Sequence, residues 1–212
     1  MTETSAGPPP RSAQATTASA AARLARGRRS QPSGWWGMVL FLCSEVTIFG
    51  TMIGSYFYLD FQNRHWPPNH IKPPEVTAPV IATAVLLATV PMMVMAERSA
   101  RRANRWPAVR WIALAAVIQT GYLAAQVLLF RHDLNTFTPQ GSAYGSIYFT
   151  LLAAHHAHVL LGIVLDLAVL WKLVTRGLDN YWLIGVRGVA LYWYVVAPLG
   201  VVVLLTVLSP SL

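Results

Sequence analysis

The sequence predicts an all-α, polytopic membrane bundle of five transmembrane helices, with the N-terminus cytoplasmic and the C-terminus external. Three observations carry that prediction. The 212 residues are 55% hydrophobic and only 11% charged, against roughly 45–50% and about 25% in an ordinary soluble domain. Five apolar stretches each reach about the 18–20 residues needed to cross a hydrocarbon core of roughly 30 Å. The basic residues also collect on one side of those stretches. The single cysteine, Cys43, cannot form an intrachain disulfide, and no CxxC or CxxCH string is present, which excludes a disulfide framework and cysteine-attached haem.

Residues 1–34 are rich in Ala, Ser, Thr, Pro, Gly and Arg, with three prolines at Pro8–Pro10. A segment with so little to bury cannot repay its ordering entropy, so a disordered basic tail is expected. It lacks the apolar run of a cleavable signal peptide, so the first span is expected to serve as the insertion signal. The transmembrane domain, 35–212, then has spans at about 35–59, 79–96, 109–130, 144–170 and 183–208. The second carries Pro79 and Pro91, which a membrane helix tolerates when neighbours satisfy the freed carbonyls. The fourth exceeds a straight crossing and implies tilt or a projecting end. No internal repeat is apparent.

Of the sixteen Lys and Arg, thirteen fall in the tail, the second loop and the fourth loop with their flanks, and three fall on the other side. That asymmetry orients the bundle. It also explains the net charge of +8 through anionic lipid headgroups, without nucleic acid as a partner.

Chemistry inside such a bundle depends on the few polar residues within the spans. Glu45 lies ten residues past Trp35, about 15 Å along the helix. A charge at that depth costs roughly 2.5–3.5 kcal/mol, so it must be protonated, paired or wetted inside the protein. In the fourth span His155 and His158 are three apart and share a helix face, whereas His156 points elsewhere. Three histidines on one helical turn cannot surround an ion, and no Glu-x-x-His partner comes from a second span, so no metal or haem site is expected. Asp166 reads as interfacial.

Gln119, Tyr122 and Gln126 form a hydrogen-bonding stripe on the third span. Thr47, Gly50 and Gly54, and likewise Ser146, Thr150 and Ala154, form small-residue faces of the kind that let helices approach closely. Tyr56, Trp66 and other aromatic residues near the span ends read as an interfacial belt. These residues define no catalytic constellation, so a subunit of a larger assembly is a better reading than a lone enzyme. The alternative from another class is a stand-alone proton or solute carrier using Glu45.

Several strings resemble subunit III of haem-copper oxidases. They are Trp36-Gly-Met-Val-Leu-Phe-Leu-Cys-Ser-Glu45, Tyr56-Phe-Tyr, Trp66-Pro-Pro, Tyr144-Gly-Ser-Ile-Tyr-Phe149, His155-His-Ala-His158-Val and Ala190-Leu-Tyr192-Trp193, with Gln126 matching a glutamine. They occur in the family's order over about residues 35–208, in the manner of its short five-helix form. The resemblance implies a non-catalytic subunit of cytochrome c oxidase in an aerobic respiratory chain, where electron transfer to oxygen is coupled to proton pumping. It implies a multi-pass protein of the cell membrane, bacterial plasma membrane in particular.

Haem and copper would sit in partner subunits I and II and none in this chain. Subunit I would be packed directly, and a small subunit IV could be present. Phospholipid would be bound, and proton uptake and the stability of the catalytic subunit would be supported. On the same resemblance Glu45, His155, His158 and Gln126 would be buried proton-network or structural positions. Gly50, Gly54, Tyr144, Gly145, Ser146 and Trp193 would serve helix packing. The alternative within the family is a quinol oxidase subunit or an accessory subunit of a nitric oxide reductase system. The chain departs from the family where His-Phe-Val-Asp becomes Tyr194-Val-Val-Ala197, where a tryptophan becomes Gly200, and where a glutamate becomes Leu129.

Overall fold

The computed structural model describes residues 33–63, 65–68, 71, 75–177 and 180–211, with the side chains of 180–182 and 211 left aside. Of the expected tail, 1–34, residues 1–32 lie outside the described residues, and Ser33 and Gly34 open the first helix; Arg64 and Lys72 of the first loop also lie outside. Five α-helices follow one another: α1 (Ser33–Gln62), α2 (Thr77–Arg101), α3 (Arg105–Thr136), α4 (Ala143–Arg176) and α5 (Asn180–Leu208), ending in a 3-10 turn at Ser209–Ser211. All five contain stretches long and apolar enough to cross a membrane, and the described residues contain no strand.

The helices run past the apolar stretches at nearly every end. At 1.5 Å per residue α4, with 34 residues, is about 51 Å long and outreaches a 30 Å hydrocarbon core. Polar and aromatic flanks extend each helix because the backbone's hydrogen bonds are best satisfied within it. The expected loop between the second and third spans shrinks to residues 102–104, where Ala103 takes a positive φ of 57°. The helix α2 continues through Pro91 and α5 through Pro198. Ser142 caps α4 by accepting a hydrogen bond from the Gly145 amide at 3.0 Å, which satisfies one of the free donors of its first turn.

Helices α2, α3, α4 and α5 form a closed ring in which each packs against its two neighbours, and α1 lies outside the ring against α4 and α5. Two cores result. One fills the ring and includes Leu86, Met93, Ile112, Val159, Tyr192 and Trp193. The other, at the end away from the arginines, gathers Phe49, Tyr56, Tyr144, Tyr148 and Phe149. Tyr56 and Trp66, expected in an interfacial belt, turn inward here. Their rings meet edge to face at 5.5 Å, and Trp66 meets Tyr144 at 5.1 Å. Aromatic faces and edges attract at such separations. Trp36, Trp106 and Trp171 remain exposed as a belt requires.

The small residues that let helices close up differ from those on the expected faces. Open space surrounds Gly50 and Gly54, and Thr47, Ser146 and Thr150 are exposed, so among the described residues only Ala154 of those stripes packs, against the second core. Ser146 instead donates to the Pro139 carbonyl at 2.6 Å. Close approach is made by Gly162, where a Cβ would lie 2.5 Å from Trp193 Cζ2 and 2.9 Å from Tyr192 Cε1. It is also made by Gly145, where a Cβ would lie 2.5 Å from the Thr138 carbonyl oxygen.

Two contacts clasp the arginine-rich end. Glu97 on α2 accepts from Arg101 at 2.6 Å and, through its other oxygen, from the Tyr194 hydroxyl of α5 at 3.0 Å. Arg105 at the start of α3 donates to the Val174 carbonyl of α4.

Overpacking a buried contact costs about 1–3 kcal/mol. Gly162→Val is therefore expected to lower the thermal unfolding midpoint in mild detergent clearly. Gly50→Ala should leave it unchanged or raise it slightly, because an exposed helical glycine is about 0.5–1 kcal/mol worse than alanine.

Candidate functional site

Where α1 meets the ring, Glu45 reaches His158 of α4, with Oε2 2.7 Å from Nε2. The side chains are 16% and 17% exposed, so the pair is largely shielded within this chain alone. His158 Nδ1 lies 2.7 Å from the Ala154 carbonyl oxygen. A carbonyl can only accept, so Nδ1 carries a hydrogen. The Glu45–His158 contact then holds one proton, either on the carboxylic acid facing a neutral imidazole or on an imidazolium facing a carboxylate. Both forms are neutral as a pair, which removes the cost of an isolated charge at this depth.

The surrounding residues hold the imidazole in place. Phe49 meets its ring edge to face at 5.2 Å. Tyr192 of α5 donates its hydroxyl to the His158 carbonyl at 2.7 Å, and Phe41 of α1 stacks on Tyr192 at 6.5 Å. Three helices thus meet at one proton-sharing contact. Gly162, one turn along α4, makes room for the Tyr192 and Trp193 rings that complete it.

The three histidines of α4 separate rather than act together. His158 turns to α1, whereas His155 is buried at 2% exposure and points into the ring. Neither His155 ring nitrogen has a hydrogen-bond partner in the described residues, and the same holds for His156 Nε2. His155 and His156 border one small cavity with Tyr122 and Gln126, and Gln126 donates to the Tyr122 hydroxyl at 3.3 Å. Among the described residues no group of three or more His, Cys, Asp and Glu side chains is placed to hold a metal ion.

A second polar centre lies deeper in the ring, and the sequence reading of Asp166 as interfacial is corrected there. Its side chain is fully buried, ten residues or about 15 Å from the end of α4. Asp166 Oδ2 accepts from Trp193 Nε1 at 2.9 Å. With its amide nitrogen toward the carboxylate, Gln119 donates to the same oxygen at 2.8 Å and to the Ala115 carbonyl at 3.2 Å. The other end of that amide lies 3.4 Å from Thr89 Oγ1. Thr89, Gln119, Asp166 and Trp193 come from α2, α3, α4 and α5, one from each helix of the ring. The expected stripe on α3 therefore divides, with Gln119 serving this centre and Tyr122 and Gln126 the cavity. In sequence a single acidic residue near a span end reads as interfacial, because spacing does not report which helices cover it. Trp193, one α5 residue past Tyr192, was the only available signal of its partner.

The fold and its interior define a membrane-embedded helical protein whose polar groups are shared between helices. A family model described as cytochrome c oxidase subunit III matches residues 29–209, and the chain belongs to that family. Curated relatives named cytochrome c oxidase subunit 3 agree. The one from Patiria pectinifera is 28% identical over 167 residues, covering 76% of this chain and 64% of the relative. The one from Gallus gallus is 27% identical over 167 residues, covering 76% and 63%. The Bacillus subtilis (strain 168) relative is 28% identical over 163 residues, covering 76% and 77%. The chain thus spans a little under two thirds of the length of the animal relatives.

The glutamine amide can donate to His158 Nε2 or accept from it, so Glu45→Gln should change stability little. Glu45→Ala removes the partner of a shielded imidazole and should cost about 1–3 kcal/mol, read from unfolding in detergent. Asp166→Leu leaves the Trp193 indole N–H and the Gln119 amide without their acceptor. It is expected to cost as much or more, whereas Asp166→Asn, which keeps an acceptor oxygen, should cost less.

Proposed function

We propose that this chain is a non-catalytic subunit of a respiratory oxidase that passes electrons from reduced cytochrome c to oxygen and couples this to proton pumping. The observation that carries the reading is the family match over residues 29–209. In this account haem and copper reside in partner subunits I and II. The chain packs against subunit I, holds phospholipid, and supports proton uptake and the durability of the catalytic subunit. The bundle lies in the plasma membrane with its arginine-rich end in the cytoplasm.

Two features support an accessory role. Two acidic side chains within the spans, Glu45 and Asp166, are engaged in contacts between helices, with His158 and with Trp193. The lone outer helix α1 also has only 11% of its most apolar stretch buried. Its exposed Leu40, Val46, Ile48 and Phe57 face lipid or a neighbouring subunit. At membrane depth small and apolar faces associate through packing, and α1 carries its bare glycines on that surface.

Deletion of the chain from cells that make the complex tests this function. The haem spectrum of the remaining core should be nearly unchanged, while its activity should decay faster during sustained turnover. Loss of the haem signal, or a turnover lifetime equal to that of the intact complex, would contradict the assignment. Within the intact protein, Glu45→Lys should reduce co-purification with the haem-bearing subunits far more than Glu45→Gln. The lysine places an unpaired cation beside His158 in a shielded site.

A further inference from the structure

His155 poses a physical problem that the protein alone does not solve. It is 2% exposed, and both ring nitrogens lack partners among the described residues. A neutral imidazole has one donor and one acceptor, and leaving each unmet in a buried site costs about 1–3 kcal/mol per group. A third unmet atom, His156 Nε2, lies on the same wall.

The space beside these atoms is a cavity of about 40 Å³ inside the ring. A water needs roughly 10–15 Å³ by this measure, so the cavity admits about three or four. Its lining is polar where it matters, with Thr83, Tyr122, Gln126, His155 and His156 along it. Toward the end away from the arginines it is bounded by Asp133 and Tyr148, and the Tyr148 hydroxyl donates to Asp133 at 2.7 Å. Buried cavities that stay dry are apolar, and those with several polar partners hold ordered water.

Gly200 sets the fit at the inner end. A Cβ there would lie 2.8 Å from His155 Cε1 and 2.9 Å from Nε2. The glycine therefore lets the imidazole stand at the base of the cavity.

The geometry points to a built water site within the α2–α5 ring, a short file of ordered waters running from Asp133 and Tyr148 to His155. These waters supply the missing hydrogen bonds of His155 and His156. They also connect a histidine in the membrane interior to the aqueous phase at the end opposite the arginines. Glu45 and His158 lie on the outer side of α4 and take no part in the file.

X-ray radiolysis of the full chain in its assembly, purified from membranes into mild detergent and exposed in H2-18O, tests the proposal by mass spectrometry. Hydroxyl radicals formed on bound water oxidise the side chains that the water touches. His155 should take up 18O, while Trp193, intrinsically more reactive but fully buried away from the cavity, should not. Absence of label on His155 at doses that label the exposed His132 would overturn the proposal. Leu204 forms part of the cavity wall, and Leu204→Phe fills space there while leaving every polar residue of the lining in place. His155 labelling should be lost in that variant, and undiminished labelling would equally overturn the site.

Discussion

A carboxyl group at membrane depth must be neutralised before a helix carrying it can stay in lipid, and in this protein the neutralising group is His158. The contact with Glu45 is the main polar tie between α1 and the rest of the bundle. The remaining hold on α1 is mainly apolar and modest, through buried Leu42, Phe49 and Tyr56, with a long hydrogen bond of 3.5 Å from Ser209 to the Tyr56 hydroxyl. The Ala154 carbonyl fixes the imidazole so that one nitrogen faces Glu45, and Tyr192 braces the same turn of α4 from α5. The position of the outer helix, and with it the surface it offers to neighbours, follows from this one shared proton.

The ring itself is held by a different rule. Its helices have no hydrophobic drive to associate in lipid and rely on packing and interhelical hydrogen bonds. Gly162 lets α5 lie close enough to α4 for Trp193 to enter the ring, and Trp193 then delivers its indole N–H to Asp166. Gln119 completes the centre from α3, with Thr89 of α2 beside its amide and donating to the Leu86 carbonyl of its own helix. A centre hydrogen-bonded between α3, α4 and α5 penalises sliding of any of them past the others, because such a shift strands a buried polar group. At the arginine-rich end Glu97 and Tyr194 repeat the tie between α2 and α5 near the interface.

The spans were legible in the sequence because hydropathy over about 20 residues reports the bilayer directly. Glu45 was legible for the same reason, as an ionisable residue far from either end of a span. Its partner was less so. Spacing along α4 groups His155 with His158, since both share a face, but a helix face about 100° wide can touch two different neighbours. His158 faces α1 and His155 faces the ring interior. The glycines show the same limit. The stripe at Gly50 and Gly54 has the periodicity of a packing face, yet it stays bare in this chain, while the isolated Gly162 makes the tightest contact. Sequence spacing identifies a face and leaves open what covers it. Asp166 shows the complementary limit, because an acid about 15 Å from a helix end is interfacial or buried according to tertiary contacts alone.

A double-mutant cycle on Glu45 and His158 tests the central claim most directly. The free energy of unfolding in mild detergent would be compared for Glu45→Ala, His158→Ala, both together and the unaltered chain. A shared proton between shielded groups predicts coupling of about 0.5–3 kcal/mol, with the second substitution costing much less once the first is made. Two costs that simply add would show that the groups act independently, and α1 would then need another explanation for its place against the ring.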